Sequence, residues 1–174
     1  MQIAWTTTFT LIFSLGSFIA LRTRVAETAG AELVDKDGKS LGKLTLTQEM
    51  RGVHIAGKLT GLPMGPHGMH IHATGQCHGP DFISAGAHFN PYNRKHGWQN
   101  KDGPHAGDLP NINVDTDGSA TIDVLATLVT LRTGKNSLFG NGGTCLVLHE
   151  RPDDEVTDPA GSTGSRIACG VIRR

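Results

Sequence analysis

The chain has 174 residues, in which 16 Lys and Arg balance 16 Asp and Glu. This length suits one domain with a hydrophobic core better than two. The balanced charge gives none of the strongly basic character that binding to nucleic acid or a membrane surface needs, so we expect neither partner. Glycine is abundant at 23 residues and aromatic residues make up only 5%. This composition favours short strands joined by tight turns.

Residues 1–26 are predicted to be a signal peptide or an apolar N-terminal segment. Residues 1–21 carry no charged side chain, and an apolar run ends at Leu21. The run resembles the central region of a signal peptide more than a spanning helix, which needs about 20 apolar residues. A retained membrane anchor is the less favoured alternative. Arg22 and Arg24 follow the run, and basic residues on that side of an anchor would tend to keep the domain in the cytoplasm. We expect residues 27–174 to form one periplasmic or secreted domain with no stable membrane partner.

From residue 31 onward the hydrophobic pattern is that of β-strands. Polar and apolar residues alternate in eight short runs, and turn sequences such as Asp-Lys-Asp-Gly and Asn-Gly-Gly separate them. The predicted strands are 31–34, 41–47, 53–60, 67–73, 112–114, 120–126, 144–150 and 166–172. About eight short strands without a helical pattern predict a closed or sandwiched antiparallel sheet.

Two long loops interrupt this pattern, at residues 74–111 and 151–165. A loop as long as the first must be held in place by interactions other than a hydrophobic core. Metal ligands and a disulfide bond are the interactions of this kind that the sequence offers.

Six of the nine histidines have spacings that are typical of metal ligands. His70 and His72 lie two apart in a predicted strand, so both rings point to the same face and can approach one metal. The long loop holds His88, His96, His105 and Asp108 within 21 residues. Three imidazoles and a carboxylate are a ligand set that suits tetrahedral zinc. His149 is the sixth, at the end of an apolar strand.

Taken together, these segments resemble the copper, zinc superoxide dismutase family. The similarity runs in order through the domain, and the second loop is as compact as in the secreted bacterial members. The segments that carry it are GPHGMHIH at 65–72, SAGAHFNP at 84–91, GPHAGDLP at 103–110, LVLHE at 146–150 and GSTGSRIACGVI at 161–172. The resemblance implies an all-β fold, an eight-stranded antiparallel Greek-key β-barrel or sandwich, immunoglobulin-like in arrangement.

The resemblance also implies a two-metal site, with copper as Cu²⁺/Cu⁺ and zinc as Zn²⁺. The ring of His88 would be shared between the two metals, and Asp153 would bind the outer nitrogens of His70 and His96. The implied copper ligands are His70, His72, His88 and His149. The implied zinc ligands are His88, His96, His105 and Asp108.

Arg166 matches the active-site arginine of the family, which would hold the superoxide anion beside copper. His88 would act as the second catalytic residue, because the nitrogen that releases reduced copper can carry a proton to the peroxide product. The expected mature chain is slightly acidic, so attraction of the substrate must be local. Lys95, Lys101 and Arg151 are further candidates for steering the anion.

Cys77 and Cys169 match the disulfide bond of the family, and Cys145 is left as an expected buried free thiol. The resemblance places His67 where the family has a histidine that braces loop backbone. His54 and His78 are expected on strands or at the surface.

The function implied is the dismutation of superoxide to molecular oxygen and hydrogen peroxide. A three-histidine zinc hydrolyase is one alternative, but it leaves His96, His105 and Asp108 without a role. A non-catalytic copper and zinc binding module is another. The sequence leaves monomer and homodimer open, with Trp98 as a candidate contact residue.

Overall fold

The computed structural model describes residues 26–174, and the segment predicted as a signal peptide lies almost entirely outside them. Nine strands and one short 3₁₀ helix, Ile83–Ala85, occupy this part of the chain. No helix of these residues is long and apolar enough to cross a membrane. The strands are β1 Thr28–Asp35, β2 Ser40–Glu49, β3 Gly52–Leu59, β4 Gly65–His67, β5 Met69–His72, β6 Ile112–Val114, β7 Ala120–Ala126, β8 Cys145–His149 and β9 Arg166–Val171.

The first strands form because every second residue is apolar. In β1, Ala29, Ala31 and Leu33 are buried and their neighbours are more exposed. In β2, Leu44 and Leu46 are buried and the residues between and beside them are not. Such a two-residue period gives a sheet with one face in the core and one in water.

Seven strands form one antiparallel sheet in the order β5-β8-β9-β1-β2-β3-β7. The remaining pair, β4 with β6, forms a small second sheet. Along the chain, β4 leads into edge strand β5 and β6 leads into edge strand β7. The small sheet therefore connects the two edges of the large one, and the sheet curls as in a Greek-key barrel. The predicted all-β antiparallel fold is confirmed.

The predicted strand 67–73 is two strands, which brings the count to nine. The interruption lies at Gly68, whose N–H donates to the carbonyl of Arg151 at 2.9 Å. The carbonyl of Gly68 accepts from the N–H of His149, also at 2.9 Å. At this residue the chain changes partner from β6 to β8. The first strand also begins earlier than predicted, because Thr28, Ala29 and Gly30 pair with β2.

The long loop is fastened to β5 by backbone hydrogen bonds that the sequence did not reveal. The N–H of Ile71 donates to the carbonyl of Gly107, and its carbonyl accepts from the N–H of Phe89, both at 2.8 Å. A side chain at Gly107 would collide with the carbonyl of Ile71, so glycine permits this close approach. The predicted disulfide between Cys77 and Cys169 is present and fastens the loop to β9.

Strands β5 and β8 are buried on both faces, and their alternation decides where the histidines point. Met69, Ile71, Leu146 and Leu148 belong to the main core. The residues between them project from the opposite face, under the two long loops. They are His70 and His72 on β5 and Cys145, Val147 and His149 on β8.

Replacing Cys77 and Cys169 together by serine should lower the free energy of unfolding by about 4–5 kcal/mol. The two cysteines are separated by 92 residues in the sequence, and a bond that closes so long a segment lowers the chain entropy of the unfolded state. The expected change in the free energy of unfolding follows from this loss of entropy. Urea unfolding of the metal-free proteins measures the difference. A loss below about 1 kcal/mol would contradict the view that the bond is a main fastener of the loop.

Candidate metal centre

Two groups of four buried side chains each bring their ligand atoms within 4.8 Å of one another. They are the two groups that the sequence predicted, and His88 belongs to both. The first group is His70, His72, His88 and His149. The second is His88, His96, His105 and Asp108.

The backbone places His88 between the two groups. His72 and His88 form an isolated antiparallel bridge, and His70 and Asp108 form another. These bridges bring two residues of the long loop beside the two histidines of β5. The geometry follows from main-chain pairing, so it does not depend on long flexible side chains.

The second group converges on one carboxylate oxygen. Oδ1 of Asp108 lies 2.9 Å from Nδ1 of His88, 3.1 Å from Nδ1 of His96 and 3.3 Å from Nδ1 of His105. Three imidazole nitrogens and one carboxylate oxygen in a closed, buried cluster are the donor set of a structural zinc site.

Whether metal ions fit the two groups can be judged from the ring nitrogens that have no hydrogen-bond partner. All six histidines of the two groups have at least one such buried nitrogen. A buried polar atom without a partner costs free energy, and a metal ion would remove that cost. On His88 the free atom is Nε2, whereas Nδ1 faces Asp108. The residues present therefore fit two ions, one on each side of the His88 ring.

Hydrogen bonds fix which nitrogen three of the histidines, His70, His72 and His96, present. The Nδ1–H of His72 donates to the carbonyl of Gly86 at 2.9 Å, so Nε2 is free. The Nε2–H of His70 donates to Oδ2 of Asp153 at 2.7 Å, so Nδ1 is free. Oδ1 of Asp153 accepts from His96 at 3.0 Å. Asp153 thus lies between one histidine of each group, as the sequence predicted.

Sequence reasoning missed three residues that hold these side chains in place. Asn111 accepts from the N–H of Asp153 at 2.7 Å and donates to its carbonyl at 2.9 Å. At Gly161, which has a φ of 64°, any side chain would overlap the carboxylate of Asp153. Asp158 accepts from the N–H of His96 at 2.8 Å. Only Gly161 left a signal, because it lies in one of the matching segments.

A cleft of about 620 Å³ opens over the first group and contains both His88 and Arg166 in its lining. The guanidinium of Arg166 donates to the carbonyls of Phe82 and Gly86, both at 2.6 Å. These bonds to the long loop hold the guanidinium beside His149. Residues 149 and 166 are directly opposite each other where β8 pairs with β9. The cleft therefore brings the fixed positive charge of Arg166 close to the buried imidazoles of the first group.

The other histidines and the third cysteine stay outside the two groups. Both ring nitrogens of buried His67 lie within 2.9 Å of carbonyl oxygens, of His149 and Pro63, which agrees with the predicted bracing role. His54 pairs with Asp123 on the outer face of the sheet, and His78 is exposed. Cys145 is free and buried, as predicted.

Comparison with known proteins gives the family. Residues 40–172 match the family model described as copper/zinc superoxide dismutase. The chain belongs to this family. Its reaction is therefore the dismutation of superoxide, and its metals are copper and zinc.

Individual relatives agree with this assignment. "Superoxide dismutase [Cu-Zn] 2" of Aquifex aeolicus is 52% identical over 147 residues, which are 83% of this chain and 86% of that protein. "Superoxide dismutase [Cu-Zn] 1" of the same organism is 45% identical over 97% of this chain and 98% of that protein. Among solved structures, a SOD-like protein from Bacillus subtilis has a TM-score of 0.79 at 37% identity, covering 82% of this chain and 96% of that one.

The electrostatics of this dismutase separate its two ligand groups. Burial lowers the pKa of His72 to about 2, that of His149 to about 3 and that of His88 to about 4. For His96 burial acts the same way, but the neighbouring carboxylates of Asp108 and Asp153 outweigh it and raise the pKa to about 9. His72, His88 and His149 are therefore kept neutral, which is the form that binds a metal.

The two carboxylates remain ionised although burial opposes it. The imidazoles of His105, His88 and His96 beside Asp108 hold the pKa of this carboxylate well below its usual range. Its second oxygen accepts from the N–H groups of Gly97 and His105, each at 2.9 Å. In the same way, the bonds from His70 and His96 lower the pKa of Asp153. Both carboxylates can thus balance the charge of bound cations.

We expect Asp153→Asn to weaken metal binding by about 10- to 100-fold. An amide has only one oxygen, so its NH₂ group would face an N–H of His70 or His96 and could not hold both rings. Competition with a chelator, followed for zinc and copper separately, measures the loss. Asp37→Asn removes the same charge from an exposed turn and serves as the control. Equal affinities for the two variants would contradict this role of Asp153.

The metal-free protein should lose stability as the pH falls from 7 to 5. Because His72, His88 and His149 have lowered pKa values when folded, the unfolded chain binds more protons below about pH 6.5. The contribution of His96, with its raised pKa, is fully present below pH 6.5 and is lost only toward pH 9. It therefore does not offset the acid loss.

Urea unfolding of chelator-treated protein at pH 5, 6 and 7 measures this dependence. We expect unfolding to take up about two to three protons near pH 5. His78→Gln, at an exposed site, should leave the dependence unchanged. A free energy of unfolding that is equal or higher at pH 5 would show that these rings are not buried in the neutral form.

Proposed function

We propose that this chain dismutes superoxide at the centre described above, with His88 as a ligand shared by the two metals. The observation that carries the proposal is the His88 ring, whose two nitrogens face different ligand groups in a buried site. The proposed copper ligands are His70, His72, His88 and His149. The proposed zinc ligands are His88, His96, His105 and Asp108.

Copper, held by the proposed ligands, would supply the electron transfer between two superoxide anions. The residues of the chain supply binding and protons. In sum, two superoxide anions and two protons give one molecule of oxygen and one of hydrogen peroxide. One proton can be held at Nε2 of His88 and passed to the peroxide, while Nδ1 stays in the second group.

Arg166 is proposed to bind the anionic substrate in the cleft. Its two loop hydrogen bonds set the direction of the guanidinium, and burial lowers its pKa without removing the charge at neutral pH. Removing residues 1–26 takes away two basic residues, so the mature chain has 14 basic and 16 acidic residues, a net charge of −2. A chain of this sign needs a local positive charge to attract superoxide.

The three other candidates for steering differ in how free their charges are. Arg151 lines the same cleft as Arg166. Lys95 forms an ion pair with Asp158 at 3.0 Å, and Lys101 pairs with Asp102 at 3.1 Å. Pairing reduces the field of both lysines, so Arg151 is the best supported of the three.

A non-catalytic binding module and a zinc hydrolyase are both less well supported. A module of the first kind has no need for an arginine fixed over the cleft. A hydrolyase would leave the second ligand group unexplained, since its zinc needs only three histidines and a water.

We also propose that residues 27–174 are the mature domain and that it works in the periplasm or outside the cell. A disulfide bond such as that between Cys77 and Cys169 is typical of oxidising compartments. The apolar segment before Arg22 would then be a cleaved signal. For a homodimer the supporting observation is Trp98, whose side chain is 46% exposed. Its indole N–H donates to the carbonyl of Asp108, which also supports a role in packing the loop.

Arg166→Ala should lower kcat/KM at low salt at least about tenfold, because the anion loses its binding charge. The activity should also depend less on ionic strength, and copper and zinc contents should stay at one each per chain. Pulse radiolysis at several salt concentrations measures the first two effects. Arg51→Ala removes an exposed arginine from the β2–β3 turn and is the control. Unchanged activity of the Arg166 variant at low salt would defeat the proposed role.

A further inference from the structure

The third cysteine lies beside the disulfide bond. The sulfur atoms of Cys77, Cys145 and Cys169 all lie within 4.8 Å of one another. Cys145 and Cys169 are fully buried in a small apolar cluster that also contains Phe82 and Val147, and Cys77 packs against it. A free thiol is thus held next to an existing disulfide, in a cluster separate from the main core.

One carbonyl oxygen lies near two of the sulfurs. The carbonyl of Gln76 is 3.8 Å from the sulfur of Cys145 and 3.9 Å from that of Cys169. Gln76 directly precedes Cys77 in the chain. Whichever of Cys145 and Cys169 carries a proton can therefore donate to the same acceptor, so neither would be left as a buried thiol without a partner.

Strand register decides which pair of cysteines can exchange. Cys145 is opposite Val171 across β8 and β9, and Cys169 is opposite Val147. Cys145 and Cys169 are therefore diagonal neighbours on paired strands. The Cα atoms of such neighbours are about 7–8 Å apart, which is too far for a disulfide without backbone movement. Cys77 lies in the irregular segment after β5 and is not fixed in a strand ladder. It is the cysteine that can change partner.

We propose that Cys145 is a second disulfide partner for Cys77, so that the chain can hold a Cys77–Cys145 bond in place of the Cys77–Cys169 bond. The thiolate of Cys145 attacks the sulfur of Cys77, the bond between Cys77 and Cys169 breaks, and a new bond joins Cys145 to Cys77. Cys169 leaves as a thiolate and takes up the proton that Cys145 gave up. No electron is gained or lost overall, so the exchange needs no oxidant or reductant.

The exchange would move the tether of the long loop. In the described structure the loop is tied to β9, which begins with Arg166, and two loop carbonyls hold that arginine. In the exchanged form the loop is tied to β8, opposite His72. The position of Arg166 over the cleft thus becomes sensitive to which bond is present. This consequence for activity rests on the proposed function, whereas the exchange itself does not.

Burial controls when the exchange can occur. The Cys145 side chain is fully buried, so its thiol is shielded and unreactive in the closed structure. Opening of the loop exposes the thiol and allows attack. Cys77 and Cys169, unlike Cys145, line a surface groove of about 650 Å³. A small thiol can reach the Cys77–Cys169 bond through this groove.

The metal-loaded Cys169→Ser variant of the full chain, incubated with oxidised glutathione as the two-electron oxidant, tests the proposal. We expect this variant to contain a Cys77–Cys145 disulfide, found as a linked peptide after alkylation in denaturant at acid pH. It should show no free thiol, whereas the wild type shows one, Cys145. The double variant Cys145→Ser/Cys169→Ser is the control and should show one thiol, Cys77. Two free thiols in folded Cys169→Ser would overturn the proposal.

A second measurement applies if Cys169→Ser does not fold. Wild-type protein is held in urea below its unfolding midpoint with a trace of a small monothiol, and its disulfides are then mapped. Finding Cys77–Cys145 beside Cys77–Cys169 supports the exchange, and Cys145→Ser should show only the latter. If the wild type also shows only Cys77–Cys169, the proposal is wrong. Neither result depends on dismutase activity, so the proposed function can fail independently.

Discussion

The structure depends on one imidazole ring, that of His88, which has two ligand groups on its two sides. Its Nδ1 lies 2.9 Å from Asp108, and its buried Nε2 has no hydrogen-bond partner among residues 26–174. Six other ligand side chains converge around this ring because two backbone bridges join the long loop to β5. A buried cluster of this kind is costly without cations, since unpaired imidazoles and ionised carboxylates are then held out of water. The fold and the metals therefore stabilise one another.

The division of labour between the elements follows from this constraint. The alternation of β5 and β8 sends leucines and isoleucines into the core and histidines toward the loops. The loops then supply a carboxylate at Asp108, a bridge at Asp153 and the carbonyls of Phe82 and Gly86 that hold Arg166 of β9. Rigid strands thus set the positions of the ligands, and the fastened loops set the charge and the access.

Much of this could be predicted from the sequence, because ligand type and spacing leave a direct record. His-x-His on a strand and three histidines with an aspartate in one loop indicate metal ligands, and the family resemblance assigns them to two sites that share His88. The supporting contacts leave no such record. Asn111 binds the backbone of Asp153 from a distant part of the chain, and any polar residue in a loop looks the same in one sequence. The break at Gly68 was missed for a related reason, since it follows from partners on other strands.

The shared ring of His88 is tested most directly by placing Cu²⁺ in both ligand groups and recording the electron paramagnetic resonance spectrum at low temperature. A single imidazole that joins the two ions couples their unpaired electrons. The account predicts that the signal expected for two separate ions is largely lost on filling both sites, and that a signal remains with copper in one site and zinc in the other. Two independent Cu²⁺ signals of full intensity in the doubly loaded protein would contradict it.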